Sequence, residues 1–461
     1  MTSRAVPAGA PRQWVFALAF GGWAAAIALA PSAAMKAALA APAMALPAAW
    51  WMFQRPARWL AVFFAAALLL PPLAAPIGNS GPHPSLAIAA AGLVAGLIWL
   101  PDWRIPANAL TGGFLLFFAL LAASVAQAAL HSGAAAAAGS LARVALFGIS
   151  VYIFFYTACT RAGEGDRSGD IRRLYWIAAA AALFASIDFY YQFPAPAGYG
   201  PQFIWLESGV YRRAQGLFYE AGTLGNFCAF FLVMIAAALA RPRAESPVSR
   251  PGLAIGGLCF FAALVLSYSR GSVVNLLVAL TVLLCLNRKR VRWARVIPVM
   301  AAFCGAAALV TWKIFPGFVE MYWLRLSGTT QFFFSATEGV LSGRVASWRT
   351  LVDWVAANPG QALFGIGYKT LPYSDYLGMP VVADNMYLSV LVETGMLGLG
   401  ALLWLSAAIL RAGYQARQSL CGTWILCFWA GQMAQMLSAD VLTYWRLLPI
   451  YFWVLALAVR R

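Results

Sequence analysis

The sequence predicts an all-α fold, a polytopic transmembrane helical bundle of about 12–14 spans with one large loop on its outer side. Three observations carry that prediction. Of the 461 residues, 62% are hydrophobic and only 10% are charged, against about 25% charged residues in an ordinary soluble domain. Apolar runs recur at roughly the 20 residues that a helix needs to cross a bilayer core, whereas barrel strands would show short alternating segments. Residues 316–385 then interrupt the pattern with a polar and aromatic stretch that ends in Asp384-Asn385, directly at the start of another apolar run.

From the N-terminus, fourteen candidate spans fall at 14–31, 36–53, 59–77, 85–100, 107–130, 135–158, 174–193, 221–240, 252–268, 271–287, 296–315, 386–410, 419–438 and 446–459. They divide the chain into N-terminal helices (1–173), central helices (174–315) with an outer segment at 194–220, the large loop (316–385) and C-terminal helices (386–461). No small-residue cleavage site stands out after the first apolar run, so a retained first helix is expected.

The net charge of +17 is distributed as membrane topology requires. Arg55 and Arg58, Arg104, Arg161 to Arg173, Arg241 to Arg250, Arg288 to Arg295, Arg411 and Arg417, and Arg460 and Arg461 all occupy loops of one parity, together with Arg4 and Arg12. Positive loops stay inside, which places both termini in the cytoplasm and segments 194–220 and 316–385 outside. Charge used this way argues against nucleic acid as a partner. The seven cysteines (159, 228, 259, 285, 304, 421 and 427) lie mostly in apolar runs without metal-ligand spacing, and His83 and His131 are the only histidines. Neither a metal nor a cofactor is expected.

Within the large loop, apolar residues at 345, 348, 351, 352 and 355 form one helical stripe behind Ser342, a suitable N-cap, and Asn358-Pro359-Gly360 ends it. Gly365-Ile366-Gly367-Tyr368 reads as a tight turn. It lacks the strand-then-helix setting of a nucleotide-binding glycine loop.

The candidate chemistry sits on the outer side, where positive-inside pressure works against arginine. Four groups stand out: Arg212 and Arg213 with Glu220; Ser269-Arg270-Gly271 between two spans; Ser342-Gly343-Arg344; and Asp384-Asn385 with Glu393. Guanidinium groups hold phosphate through a bidentate fork and stay charged at low dielectric, so an anionic lipid diphosphate is the ligand they suit. Ordinary readings compete. Arg270 would serve as a headgroup anchor, only one of the adjacent Arg212 and Arg213 need have a role, and Arg344 would cap a helix or pair with Asp353. Asp384 would N-cap the next span, Glu393 would make a structural hydrogen bond, and Arg143, inside the sixth span, would snorkel outward.

In order and spacing, Arg213-x-x-Gly216, Ser269-Arg270-Gly271, Ser342-Gly343-Arg344, Asn358-Pro359 with Phe364-Gly365-Ile366-Gly367, Asp384-Asn385-x-Tyr387-Leu388 and Glu393-x-Gly395-Met396-Leu397-Gly398 resemble the O-antigen ligase and O-antigen polymerase family. The resemblance covers about residues 205–410. It implies a GT-C-like bundle in the bacterial inner membrane with its active face in the periplasm. The implied activity is inverting, metal-independent transfer of glycan carried on undecaprenyl diphosphate, either onto another lipid-linked repeat unit (polymerase) or onto lipid A-core (ligase). Arg213, Arg270 and Arg344 would hold the diphosphate, with Arg212, Asn385 and Tyr387 as further substrate contacts. Asp384 is the first candidate for the base, with Glu220 and Glu393 in reserve. Many members, ligases especially, carry His-Asn where this chain has Asp384-Asn385, a departure that favours the polymerase. A chain-length regulator is the partner the resemblance implies, besides membrane lipid and the lipid-linked donor and acceptor.

A transporter or flippase is the rival class. It calls for repeat symmetry or charges spread through the spans, and only Arg143 approaches that pattern.

Overall fold

The computed structural model describes residues 10–73, 81–160, 166–194, 200–206, 209–288, 313, 320, 323, 344–373, 377–378 and 381–460. The predicted span 296–315, and Ser342 and Gly343, lie outside the described residues apart from Lys313. The protein is mostly helical, at 76%. Among the described residues, Ala109–Cys159, Arg167–Tyr191, Ala221–Leu239 and Met386–Gln415 are long and apolar enough to cross a membrane, and shorter apolar helices accompany them.

The chain divides into two compact units, Met1–Trp59 and Leu60–Arg461. In the first, α1 (Ala10–Leu29) and α2 (Ala33–Phe53) pack together, with the Trp23 indole donating to the Leu39 carbonyl at 2.9 Å. Ser32 caps α2 by accepting from the Met35 amide. Helix α3 (Arg58–Leu69) runs across the boundary.

The second unit continues with α4 (Pro84–Ile98), α5 (Ala109–Cys159) and α6 (Arg167–Tyr191). Two strands follow, β1 (Phe203–Leu206) and β2 (Gly209–Arg212), then α7 (Ala221–Leu239), α8 (Arg250–Leu266) and α9 (Arg270–Leu286). The loop contributes α10 (Arg344–Ala357) and α11 (Pro359–Phe364) before α12 (Met386–Gln415), α13 (Leu420–Gln435) and α14 (Leu448–Val459). Most starts are written in the sequence. Asn108, Asp166, Ser249, Ser269, Asn385 and Ser419 each accept an orphan amide of the helix they precede.

The 51 helical residues of α5 are two spans. In a straight helix Phe114 and Phe154 would lie about 60 Å apart, yet their ring centroids are 4.5 Å apart. Phe117 meets Phe147 at 5.5 Å, and Gly148 faces the Phe118 ring. The limbs are therefore antiparallel and turn at Gly133 (φ 81°, ψ 174°). The predicted spans 107–130 and 135–158 are these two limbs.

The predicted span 386–410 needs correction. Tyr387 and Gly413 are 26 residues apart, about 39 Å along a straight helix, but they meet Met433 and Leu426 of α13. Those partners are only about 10 Å apart by the same rise. Helix α12 therefore folds sharply at Gly395 (φ 73°, ψ −176°). A short limb, Met386–Thr394, precedes the break and carries Glu393 at its end.

Against that break lies the loop segment 364–367. Amides of Ile366 and Gly367 donate to the carbonyls of Val392 and Glu393 at 3.1 and 2.8 Å. A Cβ on Gly365 would stand 2.3 Å from the Glu393 carbonyl oxygen, and one on Gly395 would stand 2.1 Å from that of Leu363. The Phe-Gly-Ile-Gly stretch is thus a backbone-to-backbone clasp. Gly365→Ala is expected to cost about 1–3 kcal/mol from its left-handed φ alone, with the clash in addition. Thermal unfolding of purified protein in detergent would show the lowered midpoint, and an unchanged midpoint would mean the clasp is absent.

The loop helix departs from expectation within its stripe and at its C-terminal end. Leu351 is fully buried with Ile366, Leu371, Val381, Ala383, Leu388 and Val392, and Trp348, Trp354 and Val355 pack against them. Val352, assigned to the stripe, is 53% exposed. Asn358-Pro359 ends α10 but also starts α11, with Pro359 in the first turn, where its missing N–H costs nothing. The small hairpin, paired antiparallel from Phe203 with Arg212 to Leu206 with Gly209, is a β element within the all-α class.

Helix polarity sorts the charges. Arg460 donates to the Thr157 and Thr160 carbonyls, and the Arg104 amide to that of Cys159. Arg241 donates to the carbonyls of Arg417, Gln418 and Ser419. Arg172 reaches Pro247, and Arg250 reaches Arg241. Helix α13 leaves this end and α14 returns to it, so these arginines share one end of the unit. The turns at Ser267–Ser269, Lys369 and Asp384 lie at the other.

Candidate functional site

At that other end these three turns converge. Helix α8 stops at Leu266, Tyr268 takes a left-handed conformation (φ 50°), and Ser269 caps α9 through the Ser272 amide. Arg270 is thereby the first residue of α9. Beside this turn comes the chain leaving the hairpin: the Ala214 amide donates to Leu266, and Arg213 Nε donates to the Ser267 carbonyl at 2.9 Å. Gly225 of α7 lets the helices close, since a Cβ there would lie within 3 Å of Ser267, Ser269 and Ser272.

Arg344, the first residue of α10, spans to the C-terminal helices. Its Nε and Nη2 both reach Asp384 Oδ2 at 2.9 Å, and Nη1 donates to the Ser438 carbonyl at 3.1 Å. Its partner is therefore Asp384, and the pairing with Asp353 does not form. Asp384 is left-handed (φ 45°) and 43% exposed at its side chain, and no partner is seen for Oδ1 among the described residues. Asn385, not Asp384, caps α12, accepting from Leu388 N at 3.1 Å. The Tyr387 hydroxyl donates to the Met433 carbonyl at 2.9 Å.

These positions form one electrostatic group. Burial pulls Arg213 below the usual guanidinium value, and the charges of Arg270 and Arg344 pull the same way against Tyr444 and Glu220. Burial lifts the Glu220 carboxyl above the usual range; Asp384 lifts it further, while Lys369 and Arg213 oppose. Burial likewise raises the Tyr444 phenol, with Glu220 and Asp384 adding to it and Arg213 and Arg344 opposing. Arg213, Glu220, Arg270, Arg344 and Asp384 are thus neighbours, although they come from four separate stretches of chain. Arg212 is not drawn into this group. Adjacent residues of a strand face opposite ways, and Arg212 pairs with Asp188 of α6 at 3.4 Å.

Glu393 stands apart from the open side. It is 1% exposed, and its carboxylate accepts from the backbone amides of Lys369 and Leu371. Arg143 reaches the same loop, donating to the Lys369 carbonyl at 3.0 Å and the Tyr373 hydroxyl at 2.9 Å. The snorkelling path of Arg143 therefore ends in the loop.

Lys369, Asp440, Tyr444 and Ser438 were not among the candidate groups read from the sequence. Lys369 is buried, left-handed (φ 58°) and ion-paired with Asp440. Burial draws its ammonium down to about 8; Glu393 and Glu220 oppose this, and Arg143 adds to it. Among the described residues four non-glycines have positive φ, and three of them, Tyr268, Lys369 and Asp384, flank this group. Strain of this kind gathers where a site is held in a set geometry.

A pH prediction follows. Between about 8 and 10.5 the unfolded chain binds the Lys369 proton and the folded one does not. Stability therefore rises with pH through that window, because the burial cost of the charge is present in full below it. Any activity that depends on the positive charge of this group is expected to move oppositely. Loss of the ammonium leaves Glu220, Glu393 and Asp440 less balanced. An activity profile falling with an apparent pKa near 8, while the unfolding midpoint does not fall, is expected. A flat profile to pH 9.5 would remove Lys369 from the site.

Among the described residues no group of three or more His, Cys, Asp or Glu side chains is placed to hold a metal. What the group can do is hold a multiply charged anion against three guanidinium groups with carboxylates at its edge.

Fold and site together define a helical membrane protein with a cationic, carboxylate-edged cluster at one end. Residues 255–403 match the family model described as O-antigen ligase, which supports the O-antigen ligase/polymerase family for this part of the chain. The match takes in α8 to most of α12, hence Arg270, Arg344, Asp384, Asn385, Tyr387 and Glu393. It leaves out Arg213, Glu220 and Tyr444, which the fold brings to the cluster. No curated protein matches the chain.

Proposed function

We propose that the protein is a membrane glycosyltransferase that builds polysaccharide. It moves undecaprenyl-diphosphate-linked glycan onto a lipid-linked repeat unit at the periplasmic face of the inner membrane. The observation that carries this reading is the meeting of Arg213, Arg270 and Arg344 at the end of the bundle opposite the basic loops. Positive-inside placement puts that end outside and both termini in the cytoplasm.

In the reaction, an acceptor hydroxyl attacks the anomeric carbon as the bond to the diphosphate oxygen breaks. The three guanidinium groups offset the charge that develops on the leaving diphosphate, so the step requires no metal. Asp384 Oδ1 takes the hydroxyl proton while Oδ2 stays in the Arg344 fork. A single displacement inverts the anomeric centre. Glu220, whose carboxyl is raised, is the second proton acceptor within the group. Glu393 and Arg143 fix the loop that carries Lys369.

The ligase reading, with lipid A-core as acceptor, is favoured by one observation, the description of the matching family. Glycan profiling of a deletion strain separates the two. Loss of long polymer, with single repeat units remaining on lipid A-core or on the carrier, is the expected result. Long chains accumulating on the carrier above bare lipid A-core would make it a ligase. An unchanged glycan profile would return the transporter reading.

A further inference from the structure

The opposite end of the bundle holds a second basic feature that the transfer reaction does not use. A cavity of about 770 Å³ opens where α6 meets the start of α8, lined by Arg172, Arg243, Arg250, Trp176, Ser246 and Ser249. The nearby carboxylates are already engaged, Asp170 with Arg173 and Glu245 with Arg241. Among the described residues, the three cavity arginines form no ion pair of their own. Their hydrogen bonds are partial. Arg172 uses Nε on the Pro247 carbonyl, and Arg250 uses Nη2 on the carbonyls of Leu239 and Arg241. Three like charges around one cavity repel one another unless an anion lies between them.

Below the cavity the same two helices present apolar faces outward: Ile255, Leu258 and Phe261 on α8, and Leu183 and Ile187 on α6. Trp176 stands between the polar and apolar zones, at the headgroup level such rings favour. A basic pocket on two helices that also carry exposed apolar residues suits a molecule with an anionic head and acyl chains.

We propose that this cavity is a second, non-catalytic site for a phosphate oxyanion, occupied by the headgroup of an acidic phospholipid of the inner leaflet. The guanidinium groups of Arg172, Arg243 and Arg250 grip the phosphate, and the acyl chains lie along α6 and α8. A bound lipid of this kind ties the α6 and α8 ends together on the side away from the chemistry.

The test is native mass spectrometry of the purified full-length protein. It is titrated with phosphatidylglycerol, with phosphatidylcholine of the same chains, and with inorganic phosphate. Wild type is expected to retain phosphatidylglycerol in preference to phosphatidylcholine. The combined Arg172→Gln, Arg243→Gln, Arg250→Gln variant is expected to lose about a hundredfold in affinity, about fivefold for each arginine. Because these arginines also set topology, the matching triple Lys variant keeps the charge. It is expected to insert normally and to bind with intermediate strength, since the fork is lost. Arg411→Gln, at the same end but outside the cavity, is expected to change nothing. Equal retention of phosphatidylglycerol by the Gln variant, or no preference over phosphatidylcholine, would overturn the proposal. Arginine-dependent binding of inorganic phosphate without that lipid preference would overturn the lipid as occupant.

Discussion

Arg344→Ala is expected to lower glycan transfer by about 10²–10³-fold, the usual effect of removing one preorganised donor from a developing negative charge. The protein should still reach the membrane. The reason for so large an effect is that Arg344 has two tasks. It supplies charge beside Arg213 and Arg270, and it ties the loop helix to Asp384 and to the Ser438 carbonyl. Arg344→Lys retains the charge but cannot span both acceptors with a planar fork, and it should recover only a small part of the activity. Arg270→Ala removes charge from the same group. Arg270 starts α9 and its charge acts on Arg213, so its loss should weaken transfer. Transfer measured in membranes, with quantitative blotting for expression, checks both. Near-normal product from Arg270→Ala would take that arginine out of the diphosphate site.

The sequence made the helices legible because a bilayer demands long apolar runs. The caps Asn108, Ser269 and Ser419, where the structure starts helices, were not read from it. The fold of α12 was not legible. Gly395 follows Glu393-Thr394 in an otherwise apolar run, and its own residue type does not distinguish it from Gly398 or Gly400 three and five positions on. What makes it a break is the backbone of Leu363 and Phe364 pressing against it from thirty residues earlier. The hairpin at 203–212 was missed for a similar reason. Its strands are four residues each, too short for alternation to show against a hydrophobic background.

The site was partly legible. Arginine on the outer side is costly to topology, which pointed to Arg212, Arg213, Arg270 and Arg344 together, and the family resemblance then singled out Arg213, Arg270 and Arg344. Lys369 carried no such signal. A lone lysine in a loop reads as solvated, and only the fold shows it buried against Asp440 and Glu393. The distinction between Arg212 and Arg213 likewise needed the strand, whose alternation sends one to Asp188 and the other to Ser267.

Asp384→Asn is expected to reduce turnover by about 10²–10⁴-fold, the range for loss of a positioned base, with much less effect on donor binding. The substitution keeps size and keeps an oxygen for Arg344, and asparagine tolerates the left-handed backbone that Asp384 adopts (φ 45°). It removes the group able to take a proton. Removing a negative charge beside three guanidinium groups should, if anything, strengthen the hold on an anionic donor. A structural role predicts the reverse pattern, because a broken Arg344 bridge would release the loop and lower binding along with turnover. Donor binding and single-turnover transfer, measured side by side for Asp384→Asn and Glu220→Gln, tell the two apart. Full turnover in Asp384→Asn with a large loss in Glu220→Gln would move the base to Glu220, whose raised carboxyl already suits it to hold a proton closer to neutrality.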